Sequence, residues 1–262
     1  MYMTMTGETD ADSLQQDLNQ LATWEKKWQM KFHPQKCSVL RITRNQCPTT
    51  FPYQLHGHTL ESENCSKYLG VTISSKLSWN DHINNICKKA NNSLAFLRRN
   101  LQISQHKIKA AAYTALVRPQ LEYAAAIWDP YTKEKKNKLE MVQRRVARYV
   151  QNNYSRESSV TEMLQQLGYR SLSQRRADIR LVLFYKSLHG FVAIDLCQDL
   201  EPQTRVSRHC HSLSFHPPAA TTLYMQQSFL PRTVAQWNKL PEAVARTPSL
   251  EVFKNSIAKF IH

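Results

Sequence analysis

The segment from Asn80 to Leu101 has the strongest periodicity in this chain, because its apolar residues recur every three or four positions. On an α-helix this spacing gathers apolar side chains into one stripe along a single face. The four Lys and Arg of the segment lie off that stripe. We therefore predict a long amphipathic helix that docks on a core. Its buried face would consist of Ile83, Ile86, Cys87, Ala90, Leu94, Leu97 and Leu101.

The rest of the chain divides into a mixed beginning and a helical remainder. Leucines at helical spacing ahead of Trp28 predict a first helix. β-branched and aromatic residues predict short strands within 37–43, 53–60 and 68–73, which we expect to form one small antiparallel sheet. The predicted fold class is therefore α+β and predominantly α-helical. The remaining helices are predicted over 105–117, 119–128, 133–150, 160–167, 173–189 and 249–261.

The charge balance restricts the possible partners. The chain carries 35 Lys and Arg against 20 Asp and Glu, which gives a formal net charge of +15 and a pI near 9.7. Such an excess favours a polyanion, and nucleic acid is the leading candidate. An anionic membrane surface would attract the same charge, but no apolar run approaches the roughly 20 residues of a membrane-spanning helix. We therefore expect RNA or DNA as the partner, and no membrane.

The densest basic segment is 133–148, where seven Lys and Arg oppose two Glu. A helix here would bury one apolar face and present a basic ridge, which suits phosphate contacts that position a nucleic acid without reading its sequence. The same pattern fits a solvated charged face. Arg175, Arg176 and Arg180 form a second, weaker candidate. The predicted nucleic-acid-binding residues of the ridge are Lys133, Lys135, Lys136, Lys138, Arg144, Arg145 and Arg148.

The six cysteines form no Cys-x-x-Cys pair and no dense framework, so they indicate free thiols in a reducing compartment. The first residues lack the basic and apolar regions of a secretory signal, which favours a nuclear or cytoplasmic location. A zinc site built on Cys197, His209, Cys210, His211 and His216 is disfavoured. Structural zinc ligands are normally paired at wider spacing than these adjacent residues. We therefore expect no bound metal or cofactor.

Five blocks of this sequence, taken in order, resemble the back half of a reverse transcriptase from a non-LTR retrotransposon of the jockey and CR1-like branches. Two blocks, Trp24–Cys37 and Lys67–Ile73, carry most of the resemblance. The match extends over nearly the whole chain. The further blocks are Leu77–Ile83, Tyr123–Trp128 with Leu139–Arg145, and Trp237–Pro241.

The resemblance implies a division of the chain. Residues 1–75 would be a distal palm remnant, 76–197 a helical thumb and following region, 198–222 a linker, and 223–262 a C-terminal helical segment. Lys36 would occupy the palm position beside the triphosphate of the incoming nucleotide. The primer-grip hairpin, which contacts the primer strand, would contain Tyr68, Leu69 and Gly70.

Members of that family hold magnesium with a Tyr/Phe-x-Asp-Asp turn, and this sequence contains no Asp-Asp pair. Asp10 and Asp12 are better explained as caps at a helix N-terminus. The resemblance therefore predicts a truncated fragment that binds nucleic acid without polymerase activity. One alternative is a basic helical module that binds an acidic protein. Another is an enzyme of unidentified class that uses His and Asp residues.

We expect the purified chain to extend no primer on an RNA template with magnesium or manganese. Phosphoryl transfer by polymerases needs two metal ions held on closely placed carboxylates. Incorporation of labelled nucleotide would be measured beside an active reverse transcriptase. Incorporation above background that is lost when Asp10, Asp12 or Asp17 is changed to Asn would contradict the prediction.

Overall fold

The computed structural model describes residues 1–43, 45, 50–103, 105–196, 198, 200–203 and 211–260. Contacts along the chain divide it into two compact units, Met1–His82 and Ile83–His262. The first unit combines one long helix with short strands, and the second is helical. The predicted α+β, predominantly helical class is thereby confirmed.

The first unit begins with helix α1, Glu8–Trp28. Asp10 stabilises its start, because the carboxylate accepts hydrogen bonds from the backbone N–H of Thr6 at 2.6 Å and of Gly7 at 3.0 Å. These bonds hold the pKa of Asp10 below its ordinary value. The predicted capping role is therefore confirmed for Asp10.

Six short strands follow α1, and they pair differently from the prediction. β2 with β3 and β5 with β6 are antiparallel hairpins, but β1 and β4 are parallel, and each pair is separate. The single antiparallel sheet was therefore wrong. An alternating pattern of side chains predicts a strand but does not predict which strand it pairs with. Here the β2–β3 hairpin lies between β1 and β4 in the sequence, and β4 pairs with β1 in the same direction. The strands are β1 Ser38–Leu40, β2 Gln54–Leu55, β3 His58–Thr59, β4 Glu61–Glu63, β5 Cys65–Tyr68 and β6 Val71–Ser74.

Polar contacts dock α1 on the β2–β3 hairpin. The side chain of Gln15 accepts from the backbone N–H of Gln54 and donates to its carbonyl oxygen, both at 2.9 Å. The buried carboxylate of Glu25 contacts His56 and the backbone N–H of Phe32. By contrast, the Trp28 side chain at the end of α1 is exposed. Hydrogen bonds therefore contribute to the docking of α1 on this hairpin.

The second unit contains helices α2 to α12, although α2 begins three residues before it. The predicted helices are present to within a few residues, except that 105–128 is broken into α3, a single π-helical turn at Tyr113–Val117, α4 and α5. No described helix is both long enough and apolar enough to span a membrane. The helices are α2 Asn80–Asn100, α3 His106–Ala112, α4 Arg118–Glu122, α5 Ala125–Trp128, α6 Lys133–Gln151, α7 Val160–Gln166, α8 Leu172–Leu188, α9 Leu223–Gln226, α10 Phe229–Trp237, α11 Glu242–Ala245 and α12 Leu250–Phe260.

The core around α8 includes residues that the sequence pattern assigned to a linker. Phe184 packs edge-on against Trp237, with 5.2 Å between ring centroids, and against Phe215 at 5.9 Å. Leu200 joins the same buried cluster. Two side chains from 198–222 therefore anchor their segments to this unit. The division of the whole chain into palm, thumb, linker and tail stays a prediction.

We expect the amide hydrogens of α1 to exchange faster than those of α2. The two helices have the same length of 21 residues, so they form a matched pair. The buried apolar residue of α1 is Ala11, at 6% exposure, whereas α2 buries Ile83, Cys87, Ala90, Leu94 and Leu97. Few buried apolar contacts favour local opening. Equal protection in a hydrogen-exchange measurement on the intact chain would contradict this expectation.

Candidate nucleic-acid surface

Helix α6 docks on the second unit through the apolar face that its sequence predicts. Leu139, Val142, Val146 and Val150 are each at most 1% exposed. Tyr149 is buried with them, and its hydroxyl donates to the carbonyl oxygen of Leu97 at 3.1 Å. This packing fixes which side chains of α6 can face the solvent.

Helices α2 and α6 lie side by side and run in the same direction. The contacts between them show this, since residues later in α2 contact residues later in α6. Lys138 donates to Asn84 near one end, and Arg145 Nη1 donates to Asn91 Oδ1 at 2.9 Å further along. Arg98 Nη2 also donates to the carbonyl oxygen of Arg145 at 3.4 Å. Asparagine oxygens and a backbone carbonyl therefore orient these cations without neutralising them.

We define the α2–α6 surface as seven basic side chains of these two helices, three of which make the contacts between them. Lys88 and Arg99 of α2, and Arg144 of α6, are exposed and make no side-chain hydrogen bond or ion pair with another described residue. None of the ion pairs between described residues involves a member of this surface. The charge is therefore uncompensated by carboxylates. The surface consists of Lys88, Arg98, Arg99, Lys138, Arg144, Arg145 and Arg148.

One end of the surface carries an aromatic side chain. The guanidinium of Arg98 lies over the ring of Tyr154, 5.8 Å from its centroid, and this ring is 54% exposed. Arg148 is half-buried, and its Nη1 donates to the carbonyl oxygen of Ser155 at 2.7 Å. The turn after α6 is thereby held beside the last cations of both helices.

The remaining predicted ridge residues lie elsewhere on α6. Lys133 is exposed and Lys135 is half-buried in the first turn. Burial lowers the pKa of Lys136, and the neighbouring guanidiniums of Arg232 and Arg176 lower it further. Four of the seven predicted side chains are therefore exposed and three are half-buried, and their role in binding nucleic acid stays a prediction. The sequence reasoning also missed the cations of α2, although its helical pattern already placed them off the apolar stripe.

The second basic patch predicted from sequence was wrong, because two of its three arginines are buried in the protein. Arg176 and Arg180 are 0% and 2% exposed, and both form ion pairs with Asp129. Arg232 Nη2 completes the group, 2.9 Å from the same carboxylate. Arg175 instead contacts Glu122. We call Asp129, Arg176, Arg180 and Arg232 the Asp129 cluster.

The predicted hairpin residues lie in the first unit. Leu69 and Gly70 form the two-residue turn between β5 and β6, with φ angles of 46° and 86°. A turn with two positive φ angles matches the twist of the flanking strands and favours glycine. Tyr68 and Leu69 are 66% and 73% exposed, so their side chains are accessible. The backbone N–H of Thr72 donates to Nδ1 of His82 at 3.2 Å, which anchors the second strand.

Lys36 is exposed at the end of a single 3-10 turn, Pro34–Lys36. Among the described residues, no group of three His, Cys, Asp or Glu side chains is arranged to hold a metal ion. Cys197, His209 and Cys210 of the disfavoured zinc hypothesis lie outside the described residues. His211 is buried and its Nε2 lies 2.9 Å from the carbonyl oxygen of Trp237.

Comparison with curated proteins relates the chain to the RNA-directed DNA polymerases of transposable elements. The predicted resemblance to non-LTR retrotransposon reverse transcriptases is thereby confirmed. No protein-family profile and no solved structure matches the chain.

Two of the relatives come from Drosophila melanogaster. The probable RNA-directed DNA polymerase from transposon BS is 30% identical over 157 residues, which cover 57% of this chain and 17% of that protein. The RNA-directed DNA polymerase from mobile element jockey is 24% identical over 219 residues, which cover 76% of this chain and 23% of that protein. The chain thus spans less than a quarter of the length of these relatives.

We expect Asp129→Asn to lower the free energy of unfolding by about 3–5 kcal/mol, because it removes one partner of a buried ion pair. Urea unfolding followed by circular dichroism would measure the change. The matched control is Glu242→Gln, which removes an exposed carboxylate from the ion pair with Arg246 and should change little. If Asp129→Asn unfolds at the same urea concentration as the control, the structural role of this carboxylate is wrong.

Proposed function

We propose that this chain is a distal part of a non-LTR retrotransposon reverse transcriptase and that it binds the phosphate backbone of RNA or DNA through the α2–α6 surface. The observation that carries the proposal is a pair of adjacent helices whose surface Lys and Arg have neutral hydrogen-bond partners or none, and no carboxylate partner among the described residues. The names of the relatives support the choice of nucleic acid as the polyanion.

The electrostatics of the surface favour a backbone ligand. Cations oriented by neutral groups keep their full charge, so they can replace the counterions condensed on a nucleic acid. Their spacing along two parallel helices provides several contacts in a row. Such contacts fix position and orientation but read no bases, so we expect little sequence preference. Tyr154 adds an exposed ring on which an unpaired base could stack.

The hairpin and Lys36 complete the proposal for the first unit. The exposed Tyr68 and Leu69 at the tip of a tight hairpin suit a primer-grip role, and Gly70 allows close approach of a backbone. Lys36 would be an inherited position without present catalysis, since the sequence has no Asp-Asp pair. We therefore assign the chain nucleic-acid binding and no polymerase activity of its own, with the palm, thumb, linker and tail layout as part of the proposal.

The test replaces Lys88, Arg99 and Arg144 by Gln in one variant. These side chains were chosen because they are exposed and make no hydrogen bond to another described residue, so the packing of α2 and α6 should persist. Affinity for two unrelated duplexes would be measured by fluorescence anisotropy across a salt series. Binding should weaken similarly for both, and the log–log salt slope should shrink by up to roughly three units, about 0.9 per lost contact.

A control variant with Lys239, Lys254 and Lys259 changed to Gln removes the same number of exposed charges from another part of the second unit. Both variants therefore have the same net charge, and a difference between them reports location. Equal slopes for both variants and the parent chain would overturn the proposal. In that case a basic module for an acidic protein would become the better explanation.

A further inference from the structure

The Asp129 cluster gathers more positive charge than its carboxylate can balance. Arg176 Nε donates to Asp129 Oδ1 at 2.7 Å, and Arg232 Nη2 donates to Oδ2 at 2.9 Å. Arg180 forms an ion pair with the same carboxylate, and its Nη2 donates to Gln236 Oε1 at 2.7 Å. Three guanidiniums thus share one carboxylate in a buried place.

Several N–H groups of this cluster have no acceptor. Nη1 and Nη2 of Arg176, and Nε of Arg180, are buried and have no hydrogen-bond partner among the described protein atoms. The Nη1–Nη2 edge of a guanidinium is the edge that forms paired hydrogen bonds with an oxyanion. Buried charged groups in proteins are normally paired, so these N–H groups indicate an acceptor that the described protein atoms do not supply.

Neighbouring carboxylates balance part of this charge but supply no acceptor to the unpaired N–H groups. Glu140 and Glu122 act on Arg176 at longer range, but Glu140 accepts from the backbone N–H of Ser173 and Glu122 contacts Arg175. Lys136 adds another cation beside Arg176 and Arg232. Burial lowers the pKa of Arg176 to about 10 and of Arg180 to about 9, so both remain charged at neutral pH.

We propose that the Asp129 cluster, together with Lys136, binds a phosphate group. Arg232 and Lys136, which retain solvent exposure, contact its oxygens, and the unpaired Nη1–Nη2 edge of Arg176 contributes positive charge from the buried side. The ligand is inorganic phosphate or a terminal phosphate of a nucleic acid, which offer the same oxyanion chemistry. The site is separate from the α2–α6 surface, so the two proposals succeed or fail independently.

The experiment uses the full chain and inorganic phosphate as the probe. Thermal unfolding would be followed at increasing phosphate, with sodium chloride adjusted to keep ionic strength constant. A ligand that binds the folded state raises the unfolding temperature in a concentration-dependent way. We expect this rise for the parent chain, and an affinity lowered about tenfold or more by Arg232→Gln or Lys136→Gln, each of which removes one charged contact.

Arg246→Gln is the matched control, because it removes an exposed arginine of the same unit that pairs with Glu242. Phosphate also stabilises proteins nonspecifically, and this effect should be the same in the control and in the cluster variants. If Arg232→Gln does not fold, Lys136→Gln decides, since Lys136 forms no ion pair with a described carboxylate. Identical phosphate responses of the parent, Lys136→Gln and Arg246→Gln would overturn the proposal.

Competition distinguishes the two sources of the phosphate group. Oligonucleotides with and without a 5′ phosphate would be titrated against the parent chain and Lys136→Gln. Tighter binding of the phosphorylated oligonucleotide by the parent alone supports a nucleic-acid terminus. Equal binding of both oligonucleotides, together with the thermal response to inorganic phosphate, supports a free anion.

Discussion

The ion pairs of Asp129 connect elements that are far apart in the chain. Arg176 lies 47 residues and Arg232 lies 103 residues from this carboxylate. The Arg232 guanidinium also donates to the backbone carbonyl of Asp129 at 2.9 Å. Asp129 caps the end of α5, and three residues separate it from the start of α6, so these bonds connect this turn to α8 and α10. The buried cluster therefore joins three helices of the second unit, α5, α8 and α10.

The sequence predicts the long helices of the second unit well. Each buries a stripe of apolar residues, and the spacing of these residues is visible within the segment itself. α6 illustrates this: its predicted bounds, 133–150, agree with Lys133–Gln151. The strands were predicted less well, since β1 pairs with β4 across a hairpin. Strand pairing depends on distant residues, and a run of three or four residues does not specify them. Local patterns therefore predict where helices and strands lie in the sequence but not which strands pair.

Charged residues in helices were the main source of error at the candidate site. Arg176 and Arg180 belong to a residue type that is mostly exposed, and a pattern read from one helix assigns them to solvent. Their burial depends on Asp129, which no local signal connects to them. Leu200 and Phe215 show the opposite error. Their prolines and polar neighbours predict a linker over 198–222, but both side chains belong to the buried core. In both cases the deciding contact comes from a distant part of the chain.

The arginines and lysines of this chain thus have two different environments. Those of the Asp129 cluster are desolvated, and a carboxylate holds them in place. On the α2–α6 surface, Lys138 and Arg145 are oriented by Asn84 and Asn91, which accept hydrogen bonds but carry no charge. A carboxylate at either asparagine would orient the same side chains and cancel their field. An amide fixes their geometry and leaves the field intact, which is the arrangement that long-range attraction of a polyanion requires.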